Sequence, residues 1–133
     1  MKLFGSNKLK VLVIDDDPSL RRQVRLRLEM RENFDVIEAE NGETGLVLAN
    51  SHNPDVIILD WMLPDIQGPE VLDYLKLKNE TSSIPVLMLT DKNKIGNVEE
   101  AFDLGADAYL TKPLSLQRLG EKVCELLIQP TPQ

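Results

Sequence analysis

Four short apolar runs in the chain each stop at a side chain that can hold or attack a charged oxygen. "VLVI" (11–14) ends in Asp15, Asp16 and Asp17, "VIIL" (56–59) in Asp60, "PVLML" (85–89) in Thr90, and "AYL" (108–110) runs into Thr111 and Lys112. Three neighbouring aspartates repel one another, and each loses hydration if the strand end is enclosed. Such a group is either splayed into water or gathered around positive charge. Gathered carboxylates suit a hard, oxygen-seeking cation such as Mg²⁺, with Mn²⁺ as the alternative. A carboxylate beside that cation can act as a nucleophile toward a phosphoryl group. The Thr90 hydroxyl and the Lys112 ammonium would then hold the transferred phosphoryl oxygens.

This chemistry requires the run ends to share one edge, which depends on the elements between them. "KVLVI" (10–14), "FDVIEA" (34–39), "DVIILD" (55–60), "PVLMLT" (85–90) and "AYL" read as strands. Asp17 before Pro18 is an N-cap with proline at the first helical position, followed by a helix with Leu20, Val24 and Leu28 on one stripe. Asn41 caps a second helix, to about Ser51, weakened by Gly42 and Gly45. "GPEVLDYLKLK" (68–78) is the third helix. The fourth is "IGNVEEAFDLG" (95–105), with Ile95, Val98 and Phe102 in register and Gly105 as a left-handed cap. Ser115 caps the last helix, striped by Leu116, Leu119 and Val123. Alternating strands and helices specify an α/β fold, (βα)5, with a parallel sheet covered on both faces and right-handed crossovers. In such sheets ligands bind outside the carboxyl ends of the strands, where the run ends stand.

Composition narrows the function. The chain has 133 residues, 42% hydrophobic and 28% charged, the profile of one soluble domain. A net charge of −7 argues against direct nucleic-acid binding. Cys124 is the single cysteine, so no internal disulfide can form and a cytoplasmic location is expected. "MKLFGSNKLK" lacks the apolar core of a signal peptide, and no run approaches a membrane span. There is no dinucleotide fingerprint and no phosphate-binding loop. A haloacid-dehalogenase-type phosphatase needs a second aspartate where Met62 stands. His52, the one histidine, precedes the third strand and belongs to the opposite edge. A Mg²⁺-dependent hydrolase lacks an evident base, so the chain reads as a non-enzyme.

The pieces "VIDDDPSLR", "PDVIILDWMLPDIQG", "PVLMLT" and "GADAYLTKPL", in that order at strand ends, resemble the receiver domain of two-component response regulators. The resemblance runs from about Leu9 to Ile128. It leaves 1–8 as a lead and 129–133 ("QPTPQ" with Ile128 before it) as a tail or linker start. It implies the flavodoxin-like strand order 2-1-3-4-5. It makes Asp60 the phosphoacceptor, loaded by a histidine kinase or histidine phosphotransfer protein and slowly self-dephosphorylating. Asp15, Asp16, Asp60 and the backbone carbonyl of Met62 become the metal site, with Asp16 a direct ligand and Asp15 acting largely through water. Thr90, Lys112 and Tyr109 become the phosphoryl-binding and switch residues, and the bond to Pro113 is expected to be cis. Met62 and Lys92 occupy positions that tune phosphoryl lifetime, and Asp91 a modulating position that could face the incoming phosphoryl group. The switching surface runs from the fourth helix through the fifth strand to the fifth helix and faces a downstream effector domain or protein. Neither membrane nor nucleic acid is a partner on this reading.

Ordinary roles compete with these. Asp17 serves as a cap, Thr111 as a strand-end residue, and Cys124 as a half-buried spacer. "RRQVRLR" (21–27) reads as a solvated helix face, part of which could dock the phosphodonor. Two positions depart from the family pattern. A small residue usually follows the threonine, where this chain has Asp91. Ala108 and Arg118 replace residues of the ion-pair set through which the transcription-factor subfamily dimerises, leaving only a weak homodimer open. An alternative follows from Asp91: a pseudo-receiver, an interaction module not phosphorylated in use.

Overall fold

A computed structural model describes residues 8–91, 102–103 and 105–128. Five parallel strands, β1 (Lys10–Ile14), β2 (Asp35–Ala39), β3 (Val56–Asp60), β4 (Val86–Asp91) and β5 (Ala108–Lys112), form one sheet in the order β2-β1-β3-β4-β5. Helices α1 (Pro18–Glu32), α2 (Gly42–His52), α3 (Gly68–Leu77) and a C-terminal helix (Leu116–Leu127) cover it. The expected fourth helix lies outside the described residues except for Phe102, Asp103 and Gly105. Gly105 has the left-handed backbone expected of it, φ 102°.

Strand alternation divides the core into two layers. Val11, Val13, Val56, Ile58, Leu87 and Leu89 face Val24 and Leu28 of α1 and Leu119 and Val123 of the C-terminal helix. Leu12, Ile14, Ile57, Leu59, Val86 and Met88 face Ala49 of α2 and Val71, Leu72 and Leu75 of α3. With both faces covered, β3 is buried along its whole length. That is why it reads as an unbroken apolar run rather than an alternating one.

The helices begin where their caps place them. The Asp17 carboxylate accepts from the amides of Ser19 and Leu20, the Asn41 side chain from Thr44, and the Ser115 hydroxyl from Arg118. Asn33 and Asn53 close α1 and α2 in the left-handed conformation, φ 59° and 48°. Gly45, which weakens α2 as an isolated helix, is there for approach: a Cβ would stand 2.5 Å from Ile14 Cδ1. β5 extends two residues past "AYL" because Thr111 and Lys112 pair with Thr90 and Asp91 of β4.

The loop between β3 and α3 is pinned at both ends. Asp65 reaches back to accept the amides of Gly42 and Glu43, both at 2.8 Å, at the start of α2. The Gly68 amide donates to Trp61 O at 2.7 Å. A Cβ on Gly68 would press on the Asp60 carbonyl oxygen and stand 2.8 Å from Trp61 Cα. Backbone cannot yield as a side-chain tip can, so Gly68→Ala is expected to cost about 1–3 kcal/mol, as overpacking does. Urea unfolding monitored by circular dichroism checks this; an unchanged midpoint would mean the loop has slack.

Candidate functional site

The carboxyl ends of β1, β3, β4 and β5 meet at one edge. Parallel register pairs Ile14 with Leu59, Asp60 with Leu89 and Thr90 with Thr111, so the residues just beyond the core runs emerge side by side. Asp15 is fully buried, Asp60 is 5% exposed and Thr90 2%, while Asp16 lies at the surface. One carboxylate oxygen from each of Asp15, Asp16 and Asp60 lies within 4.8 Å of the others. Lys112 Nζ joins two of them, 3.1 Å from Asp15 Oδ2 and 3.1 Å from Asp60 Oδ1. Asp15 Oδ1 accepts the Asp17 amide at 2.9 Å. Asp17 thus caps α1 with its side chain and steadies Asp15 with its backbone.

Burial, and then the charge of Asp15, push the Asp60 carboxyl up from 3.8 to about 6, against the pull of Lys112. Burial works to lower the Lys112 ammonium, but Asp60 and Asp15 outweigh it and hold it above the ordinary lysine value. Thr90 Oγ1 is buried and has no hydrogen-bond partner among the described residues. An orphaned hydroxyl beside clustered carboxylates fits a site completed by an oxygen-rich group. The carboxylate cluster fits a hard divalent cation, with Asp15, Asp16 and Asp60 as holders.

Among the other expected residues, Met62 is exposed in the loop after Asp60, and Tyr109 is half-buried. The Tyr109 ring meets Phe102 edge-on, centroids 5.2 Å apart. The Lys112–Pro113 peptide is cis. Asp91 ends β4, exposed and in register with Lys112. Lys92 lies outside the described residues. His52 ends α2 ahead of β3, at the opposite edge. Cys124 is half-buried and donates to Glu32 at 3.4 Å.

The "RRQVRLR" stretch differs from the solvated face expected of it. Arg22 is exposed, but the Arg21 side chain is only 14% exposed and pairs with Glu38 of β2 at 2.9 Å. Arg25 shares Glu38 at 2.6 Å. The Arg21 pairing and the Asp65 cap span 17 and 22–23 residues and leave no local signal. Nothing in helical periodicity announces a partner on another element.

The raised Asp60 pKa has a stability consequence. The folded state holds this proton more tightly than the unfolded chain, so the metal-free fold gains stability from this group as pH falls from about 6 toward 4, and carries the full penalty above 6. The displacement corresponds to roughly 3 kcal/mol unscreened, and solvent at the open mouth leaves on the order of 1–2 kcal/mol. Asp60→Asn in chelator-treated protein is therefore expected to be more stable than wild type at pH 7.5, with the gap closing by about pH 4. Denaturant titrations at the two pH values measure it; a constant gap would place its origin elsewhere.

The model of the response regulator receiver domain matches residues 11–124. The chain is 42% identical over 118 residues to the DNA-binding dual master transcriptional regulator RpaA of Synechocystis, covering 89% of this chain and 48% of that protein. It is 38% identical over 122 residues to the transcriptional regulatory protein ResD of Bacillus subtilis, covering 92% and 49%. The chain thus spans about half the length of the curated relatives it matches. Among solved structures, that of a putative response regulator from Chloroflexus aurantiacus superposes with a TM-score of 0.88 at 30% identity, covering 92% of this chain and 100% of that one.

Proposed function

The chain belongs to the response regulator receiver family, and from that premise we propose that it accepts a phosphoryl group on Asp60 and signals by the change that follows. The observation that carries this reading is a single arrangement. Asp60 stands beside two further carboxylates, with Lys112 bridging it to Asp15, while the buried Thr90 hydroxyl lacks a partner among the described residues. A histidine kinase or phosphotransfer protein is the proposed donor. An Asp60 oxygen attacks phosphorus, the bond from phosphorus to the donor imidazole nitrogen breaks, and the imidazole leaves with the electron pair and takes up a proton. Asp15, Asp16, Asp60 and the Met62 carbonyl would hold a divalent cation. When bound, it supplies the positive charge that lets an anionic donor approach the carboxylates. Lys112 can keep one contact to Asp15 and turn the other to the new phosphoryl oxygens, a charge-assisted bond. Thr90 Oγ1 can donate to the same group, and Tyr109 follows that movement.

The aspartyl phosphate adds charge and acceptor oxygens and shifts a two-state population. β5 and the C-terminal helix transmit it to an effector domain or protein. No helix among the described residues is long and apolar enough to cross a membrane, and a cytoplasmic location accords with this reading. The chain acts as a signalling domain whose only chemistry is on itself. Incubating the chain with Mg²⁺ and acetyl phosphate is expected to add one phosphoryl mass to the wild type and none to Asp60→Asn. Mg²⁺ alone is expected to raise the melting temperature of the wild type, and Asp16→Ala to lose most of that gain. Labelling of Asp60→Asn at wild-type levels would overturn the assignment.

Asp91 favours the second reading, an interaction module of the same fold that is not phosphorylated in use. Asp91 is exposed one residue past Thr90, at the strand edge where the carboxylates gather, and a carboxylate facing the pocket would repel an anionic donor. Asp91→Ala is expected to speed labelling by acetyl phosphate several-fold at low ionic strength, with the gain shrinking as salt screens the charge. Equal rates at low salt would show that Asp91 does not guard the site. A wild type that resists every donor while folded would favour the pseudo-receiver.

A further inference from the structure

Asp15 is tied at four points. Its amide donates to Ala39 O at 3.1 Å, its Oδ1 accepts from the Asp17 amide, and its Oδ2 accepts from Lys112. The fourth tie is to its carbonyl oxygen, which accepts from Arg21 Nη1 at 2.7 Å. Arg21 is itself braced: its Nε donates to Glu38 Oε1 at 2.9 Å, and Glu38 Oε2 takes Arg25 Nη1 at 2.6 Å. Arg25 donates onward to Val36 O at 3.0 Å, locking the carboxylate to β2. One guanidinium fork therefore clamps the end of β1 to the neighbouring strand from the first turns of α1.

The tie matters because of Asp16. Its carboxylate makes no hydrogen bond or ion pair with the described residues, so its direction is set through its backbone alone. The Asp15 carbonyl oxygen lies in the same rigid peptide plane as the Asp16 nitrogen and Cα. Fixing that oxygen fixes the direction in which Asp16 leaves the strand. We propose that Arg21 is a positioning residue for the cation site: through the Asp15–Asp16 peptide plane it holds the Asp16 carboxylate in reach of those of Asp15 and Asp60. The inference rests on the reading of this pocket as a divalent-cation site. Arg21 touches neither cation nor phosphoryl group.

Charge and geometry give opposite signs, which makes the role testable. Arg21 is a cation near a cation site, so by Coulomb repulsion alone its removal should tighten Mg²⁺ binding. Loss of positioning should weaken it, as removal of the groups that orient metal ligands typically weakens affinity 10- to 100-fold. Mg²⁺ affinity is measured by calorimetry and by the fluorescence of Trp61, the sole tryptophan, which adjoins Asp60. Four proteins are compared: wild type, Arg21→Ala, Arg21→Lys and Arg22→Ala. Arg22 is exposed on the next position of α1, and its substitution removes the same charge without touching Asp15. The expected result is affinity about tenfold weaker in Arg21→Ala, and equal or tighter in Arg22→Ala. Arg21→Lys should fall between, about threefold weaker, because one ammonium cannot span the carbonyl and Glu38 as a fork does. Arg21→Ala matching Arg22→Ala would overturn the inference while leaving the cation site standing. No saturable Mg²⁺ binding by wild type would overturn the cation site and the inference together. Should Arg21→Ala not fold, Arg21→Lys decides by the same measurement: about threefold weakening supports the role and wild-type affinity overturns it.

Discussion

Lys112 Nζ stands 3.1 Å from a carboxylate oxygen of Asp15 and 3.1 Å from one of Asp60, and the site depends on that shared ammonium. Two carboxylates buried at the end of a sheet cost several kcal/mol each to desolvate and repel one another besides. One cation between them recovers part of this, but Asp60 still sits at about 6, so the compensation is incomplete. Lys112 can reach both only because β5 runs two residues past its apolar core and lies next to β4. Removing β5's extension would leave two buried like charges facing each other.

The sheet supplies the rest by register rather than by special geometry. In a parallel sheet neighbouring strands end level with one another, so a polar residue placed just after each core run lands at the same edge. The order β2-β1-β3-β4-β5 sets β1 beside β3, bringing Asp15 next to Asp60 although 45 positions separate them in sequence. The covering layers then lock the positions. Gly45 lets α2 settle onto Ile14 directly before Asp15, and Gly68 lets α3 begin against the backbone of Asp60 and Trp61. Close approach at these two glycines keeps the strand ends from drifting.

Much of this was legible in the sequence. The strands announced themselves as β-branched runs, and the caps at Asp17, Asn41 and Ser115 as local side-chain chemistry. Asp15, Asp16, Asp60, Thr90 and Lys112 could be gathered because the parallel topology follows from the order of elements, and strand ends follow from topology. What could not be read were partnerships between elements. Arg21 sits in a run of arginines that looks solvated, yet its guanidinium is fixed by Asp15 O and by Glu38, neither of which periodicity reveals. Asp65 looks like a turn residue and instead caps a helix begun 23 positions earlier. The two glycines of α2 looked like weakness and are contact points. Sequence periodicity reports which face is apolar, not which polar group of one element meets which of another.

The same incompleteness would let a fold this well packed respond to the small chemical change proposed for it. Three carboxylates against one ammonium leave the edge with excess negative charge, while a buried hydroxyl waits without a partner among the described residues. Each deficiency would be met by what the site is proposed to receive: divalent charge for the carboxylates, phosphoryl oxygens for Thr90 and Lys112. A fully satisfied edge would have nothing to gain from either event, and a ligand that gains nothing from one state over another shifts no population. On the proposed function, the energetic cost retained at Asp60 would be the part of the structure that couples chemistry to shape. It is tolerated because the two apolar layers beneath it, and the clamp of Arg21 on the end of β1, hold the edge in place while it remains unsatisfied.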